Sequence, residues 1–379
     1  MDKKYDIAIG IPSLNEQDSI KFVVESICQG LHFYYPNMKA IVINVDNNST
    51  DNTKNEFLNS KSFGIEKKYI NTNGLGKGLN ILSFIEKVTT WEIPNLAIFD
   101  ADLKSINPDW VKYFLNPIIH GKADFVTPIY YRNPYEGNAT NHFCYPVLKA
   151  VFGDSVRQPI AGDFAFSLQY AKDLIHELRN DYTLGYGVDI TMTCLALCKE
   201  KRITEITVGE KIHNPSFSKM IPIFKQEAIA LTYMLNKNIK TISKGITVYI
   251  SREKINTESY EEYYNSPSKA DIVSRRRVFA ELLMNTNFNY LLGNISKLQD
   301  FNQNKSLFTS KMWVITLEEF LRLVFYSKLD KSEIEKLIDE LVVFYLARVL
   351  SYYSEIESTD SETIINKQGI MLRNKFLKI

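Results

Sequence analysis

Up to about residue 215, short apolar or β-branched runs alternate with stretches of helical period, the pattern of a parallel α/β architecture. Residues 7–11, 40–45 and 96–99 are almost continuously apolar, which predicts strands of a sheet covered on both faces. Residues 124–129 read as a further strand. Residues 18–31, 51–58 and 78–88 predict the intervening helices, with Ser49 or Thr50 placed to cap the second. From about residue 220 the strand signals fade, and long amphipathic patterns at 317–326 and 332–352 take over. The expected organisation is an α/β domain over residues 1–220 and a mainly helical domain over 221–379. Between the long helical patterns, the polar, Asn-rich stretch 285–311 predicts loops, and no internal repeat or long low-complexity linker stands out.

A chain of 379 residues suits two such domains, and an apolar fraction of 45% can fill their cores. With 45 Lys and Arg against 44 Asp and Glu, no whole-chain field favours nucleic acid or an anionic membrane. Any anion site is therefore local. The start lacks the pattern of a secretory signal, and no run reaches the apolar length of a membrane span, so the expectation is a soluble, cytoplasmic protein. Cys28, Cys144, Cys194 and Cys198 lack metal-knuckle spacing and read as buried, reduced thiols.

The sharpest chemical signal is Phe99-Asp100-Ala101-Asp102, directly after an apolar strand. Open α/β sheets bind ligands beyond the carboxyl ends of their strands. Two aspartates two positions apart share a side in extended backbone and offer the oxygen ligands that Mg²⁺ or Mn²⁺ prefer. Alone, such a pair is more often a solvated turn. Ile11-Pro12-Ser13-Leu14-Asn15-Glu16 and Asp46-Asn-Asn-Ser-Thr-Asp51 follow the first two strands at the same edge. Asp46 there could accept hydrogen bonds from a base or ribose, whereas capping explains Ser49 and Thr50 better. In Gly74-Leu-Gly76-Lys77-Gly78, the glycines would let backbone approach a phosphate and Lys77 would add charge. The segment fits neither a Walker nor a dinucleotide motif, and a mobile turn is the plain alternative. A lone histidine such as His213 is more often structural than a ligand.

Taken in order, Asp-Ala-Asp-Leu at 100–103, Tyr131-Arg132, Gln158-Pro-Ile-Ala-Gly162, Tyr186-Gly-Val-Asp189 and the following His213 resemble the retaining glycosyltransferases of the A-type fold. That group includes the mannosylglycerate and glucosyl-3-phosphoglycerate synthases. The likeness spans about residues 6–220 and extends loosely into the tail through Met312-Trp and Ala347-Arg-Val-Leu-Ser-Tyr. It implies a Rossmann-like, mostly parallel sheet and transfer of a hexose from a UDP- or GDP-linked donor. The acceptor would be a small anion such as glycerate or 3-phosphoglycerate, and a Mg²⁺ or Mn²⁺ cofactor would assist. By the same resemblance, Pro12, Glu16, Asp46, Lys77 and Asp100 would bind the donor, and Asp102 and His213 the metal. Asp189 and Gln158 would lie at the reacting sugar, and Arg132 and Asn214 would hold the acceptor. A homodimer stays open. Asp163 and Asp189 stand where the phosphoglycerate enzymes tend to carry Glu, and Asn214-Pro215 replaces a more basic sequence.

Three other readings compete. An inverting transferase building a polysaccharide or lipid-linked glycan would use Asp189 as general base. A sugar nucleotidyltransferase would want a Gly-rich, Arg-containing loop after the first strand, which residues 11–16 lack. A noncatalytic nucleotide-sugar binder would bind donor and form no product.

Overall fold

The computed structural model describes residues 5–212, 219–255 and 267–377. Its strands are β1 (Ile7–Ser13), β2 (Ala40–Asp46), β3 (Glu66–Asn71), β4 (Asn95–Ile98), β5 (Phe125–Tyr131), β6 (Phe164–Ser167), β7 (Arg202–Glu210) and β8 (Tyr249–Lys254). The helices up to β7 are α1 (Ile20–Tyr34), α2 (Thr53–Asn59), α3 (Lys77–Thr90), α4 (Pro108–Ile119), α5 (Tyr145–Phe152), α6 (Leu168–Leu178) and α7 (Val188–Cys198). Beyond it come α8 (Met220–Lys237), α9 (Ile239–Ser243), α10 (Lys269–Asn285), α11 (Ile295–Asn302), α12 (Ser310–Tyr326), α13 (Lys331–Glu355) and α14 (Ser361–Phe376). None of the described helices is long and apolar enough to cross a membrane.

The eight strands form one sheet in the order β3-β2-β1-β4-β6-β5-β7-β8. Every neighbouring pair is parallel except those made by β6, which runs against both β4 and β5. The chain lays β1, β2 and β3 outward in one direction, then returns across β1 to place β4 on its other side. That reversal opens a crevice at the carboxyl ends of β1 and β4, where doubly wound sheets take their ligands. β1, β2 and β4 are buried along almost their whole length, as their apolar runs require.

The chain divides into two compact units. The α/β unit comprises Met1–Tyr131, Arg157–Ser218 and Thr247–Tyr260, and the helical unit Arg132–Val156, Lys219–Ile246 and Glu261–Ile379. The units thus interleave, where the sequence suggested a single boundary near residue 220. Residues 132–156 group with the helices because Arg373 on α14 donates to the carbonyls of Ala150 and Val151, and Trp313 on α12 to that of His142. Residues 249–254, unmarked in the sequence, pair with β7 as the edge strand β8. The helical unit is built around α13, whose central residues are almost all buried and whose Tyr345 stacks on Phe224 at 3.9 Å between ring centres. The stretch expected to hold loops does so, but it also contains α11, anchored by buried Leu298 and Phe301.

Ser49 and Thr50 do not cap α2. That helix starts at Thr53, and the amide of Thr53 donates to Asp51. Ser49 instead accepts from the amide of Asn15 at 2.7 Å and donates to Asp46, because the loops after β1 and β2 fold against each other. All four cysteines are free and buried.

Candidate active site

At the ends of β1, β2 and β3, Asp46 is fully buried and accepts four hydrogen bonds among the described residues. Ser13 and Ser49 hydroxyls donate to Oδ1 at 2.7 and 2.6 Å, and the Ser49 amide and Tyr69 hydroxyl donate to Oδ2 at 2.7 and 3.0 Å. Next to it, buried Asn47 donates through Nδ2 to Thr72 Oγ1, Gly74 O and Asn80 Oδ1, while its Oδ1 accepts from the amide of Gly76 at 3.0 Å. This amide network fixes the loop that delivers Lys77.

Lys77 opens α3. The glycines on either side of it serve a contact within the protein: a Cβ at Gly76 would lie 2.2 Å from Leu184 O, and one at Gly78 1.8 Å from Thr183 O. The amides of Gly78 and Leu79 donate to the carbonyls of Gly185 and Leu184 at 3.1 and 3.0 Å. The first turn of α3 is thereby committed to residues 183–185 rather than left open as a phosphate cradle, which corrects the reading of its glycines. Lys77 itself is brought beside the segment that leads into α7 and Asp189.

The centre of the site is a group of three carboxylates and two ammonium groups. Lys77 Nζ lies 2.8 Å from Asp100 Oδ1 and 3.1 Å from Asp189 Oδ2. Lys211 Nζ lies 3.0 Å from Asp100 Oδ2 and 2.9 Å from Asp163 Oδ2, and donates to Ala161 O at 2.7 Å. Asp163 also accepts from the Asp100 amide at 2.8 Å and the Tyr130 hydroxyl at 2.6 Å. Gly162 wedges into this group with φ of 93°, and a Cβ there would meet Asp100 Oδ2 at 2.3 Å. The inner members are closed off, Lys211 at 4% and Asp163 at 0% side-chain exposure, whereas Asp100 at 20% and Lys77 at 15% reach the surface.

Burial raises the pKa of Asp189, and the charge of Asp100 adds to this while Lys77 opposes it. Burial works against ionisation of Asp100 and Lys77 too, but there their mutual attraction wins. Asp100 is held well below the carboxylate range by Lys77 and Lys211, and Lys77 well above the lysine range by Asp100 and Asp189. Three carboxylates against two ammonium groups leave one formal negative charge in excess, and Asp189 Oδ1 is buried with no hydrogen-bond partner among the described residues. Such a constellation is poised to accept a donor group or a cation from a ligand.

Of the residues singled out in the sequence, Pro12, Glu16, Asp46, Lys77, Asp100, Asp102, Gln158 and Asp189 all belong to the α/β unit. Lys77 pairs with both Asp100 and Asp189. Gln158, 5% exposed, is locked by donating to the Tyr130 carbonyl at 2.7 Å. Glu16 accepts from the Ser19 hydroxyl at 3.2 Å. Asp102 is partly exposed just beyond β4. Arg132 is the first residue of the helical unit, and His213 and Asn214 lie outside the described residues. No group of three or more His, Cys, Asp or Glu placed to hold a metal occurs among the described residues. Nothing in the sequence alone assigns a role to Lys211, Tyr130, Asn47, Asn80 or Tyr69, and Asp163 stands out there only as a departure from the family pattern. For Lys211 the one signal was its place two residues ahead of His213.

Residues 8–171 match the protein family described as Glycosyl transferase family 2. Among solved structures, the fold resembles glucosyl-3-phosphoglycerate synthase from Mycobacterium tuberculosis in complex with phosphoglyceric acid. That match has 22% identity and a TM-score of 0.51 over 61% of this chain and 80% of that one. The complex of the same protein with Mn²⁺, uridine diphosphate and phosphoglyceric acid gives 22% identity and a TM-score of 0.50 over 61% and 78%. No curated protein sequence matches the chain. At this identity the solved structures speak for the fold, a mostly parallel α/β sheet of the A type followed by a helical region. The site lies at the carboxyl edge of that sheet, and residues 8–171, which contribute most of the strands that edge belongs to, are similar to the glycosyltransferases of family 2.

Proposed function

We propose that this enzyme moves a hexose from a nucleoside diphosphate donor to a small anionic acceptor with retention of anomeric configuration, assisted by a divalent cation. The observation that carries the reading is the unbalanced Lys77–Asp100–Asp189 group, partly open to solvent at the switch point of the sheet. Pro12, Glu16 and Asp46 would line the nucleoside, and Lys77 would counter the charge of the diphosphate. Asp189, with one oxygen lacking a partner among the described residues, would accept a hydrogen bond from a hydroxyl of the transferred hexose. Gln158, held by Tyr130, would fix the loop beneath that sugar.

Asp102 supplies the oxygen chemistry that Mg²⁺ and Mn²⁺ favour. Cations of this kind commonly combine one or two carboxylates with water and substrate phosphate, so a closed protein cage is not required. Both oxygens of Asp100 are engaged by lysines, so in this reading Asp102 and His213 would hold the metal. When bound, the cation would stabilise charge on the departing diphosphate.

For retention in a single step, the acceptor hydroxyl attacks the face from which the diphosphate leaves. The two oxygens are then neighbours, and the acceptor proton passes to the departing oxygen as one C1–O bond breaks and the other forms. Arg132 and Asn214 would hold the acceptor anion, a guanidinium offering two parallel donors to a carboxylate or phosphate. The similar protein from Mycobacterium tuberculosis has been crystallised with UDP-glucose and phosphoglyceric acid, which supports glycerate-like acceptors as first candidates.

A second reading has its own observation. The raised pKa and unpartnered oxygen of Asp189 also suit a general base for inverting transfer. Incubation of the purified protein with UDP- and GDP-hexoses, Mn²⁺, and glycerate or 3-phosphoglycerate, read by mass spectrometry, tests the function. The anomeric configuration of the product, read by NMR, separates the two mechanisms. Absence of a glycosidic product across the panel would reject the assigned donor and acceptor classes.

A further inference from the structure

A carboxylate offers about four lone-pair positions, and those of Asp46 are already matched by four donors within the protein. A nucleotide that bonds to Asp46, as the proposed function requires, must therefore take the place of one of them.

The four donors differ in how firmly they are held. Ser13 is 3% exposed, and its hydroxyl oxygen also accepts from Asn44 Nδ2 at 2.8 Å. Ser49 binds twice, through its amide and its hydroxyl, and its oxygen is fixed by the Asn15 amide. Tyr69 makes the longest of the four bonds, 3.0 Å, from a partly exposed side chain on β3, which ends the sheet. Its hydroxyl has no other partner among the described residues, and Lys54 Nζ sits 5.0 Å above its ring. Burial and the neighbouring Asp46 push the phenol up to about 12, so it remains a neutral donor at physiological pH.

We propose that Tyr69 is the exchangeable donor of the nucleoside subsite: its hydroxyl occupies Asp46 Oδ2 in the empty enzyme and gives way to an N–H or O–H of the bound nucleotide. Tyr69 thereby tunes donor affinity against the very group that would bind the donor. The inference rests on the reading of Asp46 as a nucleotide contact.

The consequence runs opposite to the usual effect of removing a polar side chain from a binding site. Tyr69→Phe keeps the ring beneath Lys54 and deletes only the competing hydroxyl, so nucleotide binding should tighten. From the net worth of one hydrogen bond the gain is about 2- to 10-fold. Calorimetry with UDP and with GDP, both with Mn²⁺, on wild type, Tyr69→Phe and Asp46→Asn tests this. Tighter binding by Tyr69→Phe together with weaker binding by Asp46→Asn supports the exchange. Weak binding by Asp46→Asn with unchanged or weaker binding by Tyr69→Phe overturns the exchange and leaves the nucleotide contact standing. Wild-type affinity in Asp46→Asn, or no binding of either nucleotide by wild type, overturns both. Thermal unfolding of each variant in the absence of nucleotide separates these outcomes from loss of fold.

Discussion

Arg348 in the helical unit and Lys77 in the α/β unit are both largely buried cations, and their surroundings differ in balance. Arg348 is 0% exposed and meets one carboxylate through two bonds, Nη1 and Nη2 to Glu355 at 2.8 and 2.6 Å. Its Nε donates to Gln368 and its Nη1 to the Phe308 carbonyl, so α13, α14 and the turn before α12 are tied together with charge cancelled. Lys77 and Lys211 face three carboxylates, one of whose oxygens has no hydrogen-bond partner among the described residues, and two members of the group reach solvent. A neutral pair with its bonds complete ties elements of a fold together. An open group with excess charge has capacity left for a ligand. Burial alone therefore does not separate structural from functional ions; completeness of pairing does.

The contrast is broken most directly at its two cations. Lys77→Met should leave the fold intact and lower turnover by about 100-fold or more, the scale of losing one preorganised charge aimed at a transition state. Steady-state kinetics beside a thermal melt would check this, and a variant with near-normal turnover would place Lys77 among structural ions. Arg348→Met should do the reverse. It strands Glu355, at about 3 kcal/mol of stability, with kcat almost unchanged at temperatures where the protein stays folded. Denaturant unfolding followed by circular dichroism reads that loss.

A smaller effect is expected at the wedge between the charges. Gly162→Ala adds a methyl where Asp100 Oδ2 now lies and asks a non-glycine residue to adopt φ of 93°. The expected cost is about 2 kcal/mol of stability, with lowered donor affinity because Asp100 must shift away from its lysines. A melt and a nucleotide titration on the same sample test both parts.

The pH dependence sharpens the comparison further. Asp189 has its pKa raised, chiefly by burial, and it must be ionised to act either on the sugar hydroxyl or as a base. The acid limb of kcat/KM should therefore lie above the ordinary aspartate value of about 3.9, with activity lost as pH falls through it. A profile that stays flat down to that value would remove Asp189 from the reaction.

Much of the scaffold was legible in the chain because β1, β2 and β4 lie inside the sheet and had to be continuously apolar. β8 was not, since Tyr-Ile-Ser-Arg-Glu-Lys sits at an edge and is largely exposed, carrying the charges that such strands use against mispairing. Asp100 announced itself by its place after a strand, whereas Asp189, in the first turn of α7, was marked only through the family resemblance. Their partners carried no such mark: Lys211 and Asp100 are 111 residues apart, and only the alignment of β5 with β7 brings the strand end bearing Lys211 to Asp163 and Asp100. Nor could composition reveal that the donors around Asp46 come from three separate strand ends. Local sequence marks where a loop leaves the sheet; which hydrogen bonds are already filled depends on tertiary pairing.

The central claim, that the open group is the catalytic one, is tested most directly by the hexose-transfer rate of Asp189→Asn at saturating donor and acceptor. Asparagine keeps the size of the side chain and removes the charge that faces Lys77 and that, in the proposed function, would meet the transferred sugar. The account expects a fall of about 100-fold or more with nucleotide binding retained. Turnover close to that of the wild type would contradict it.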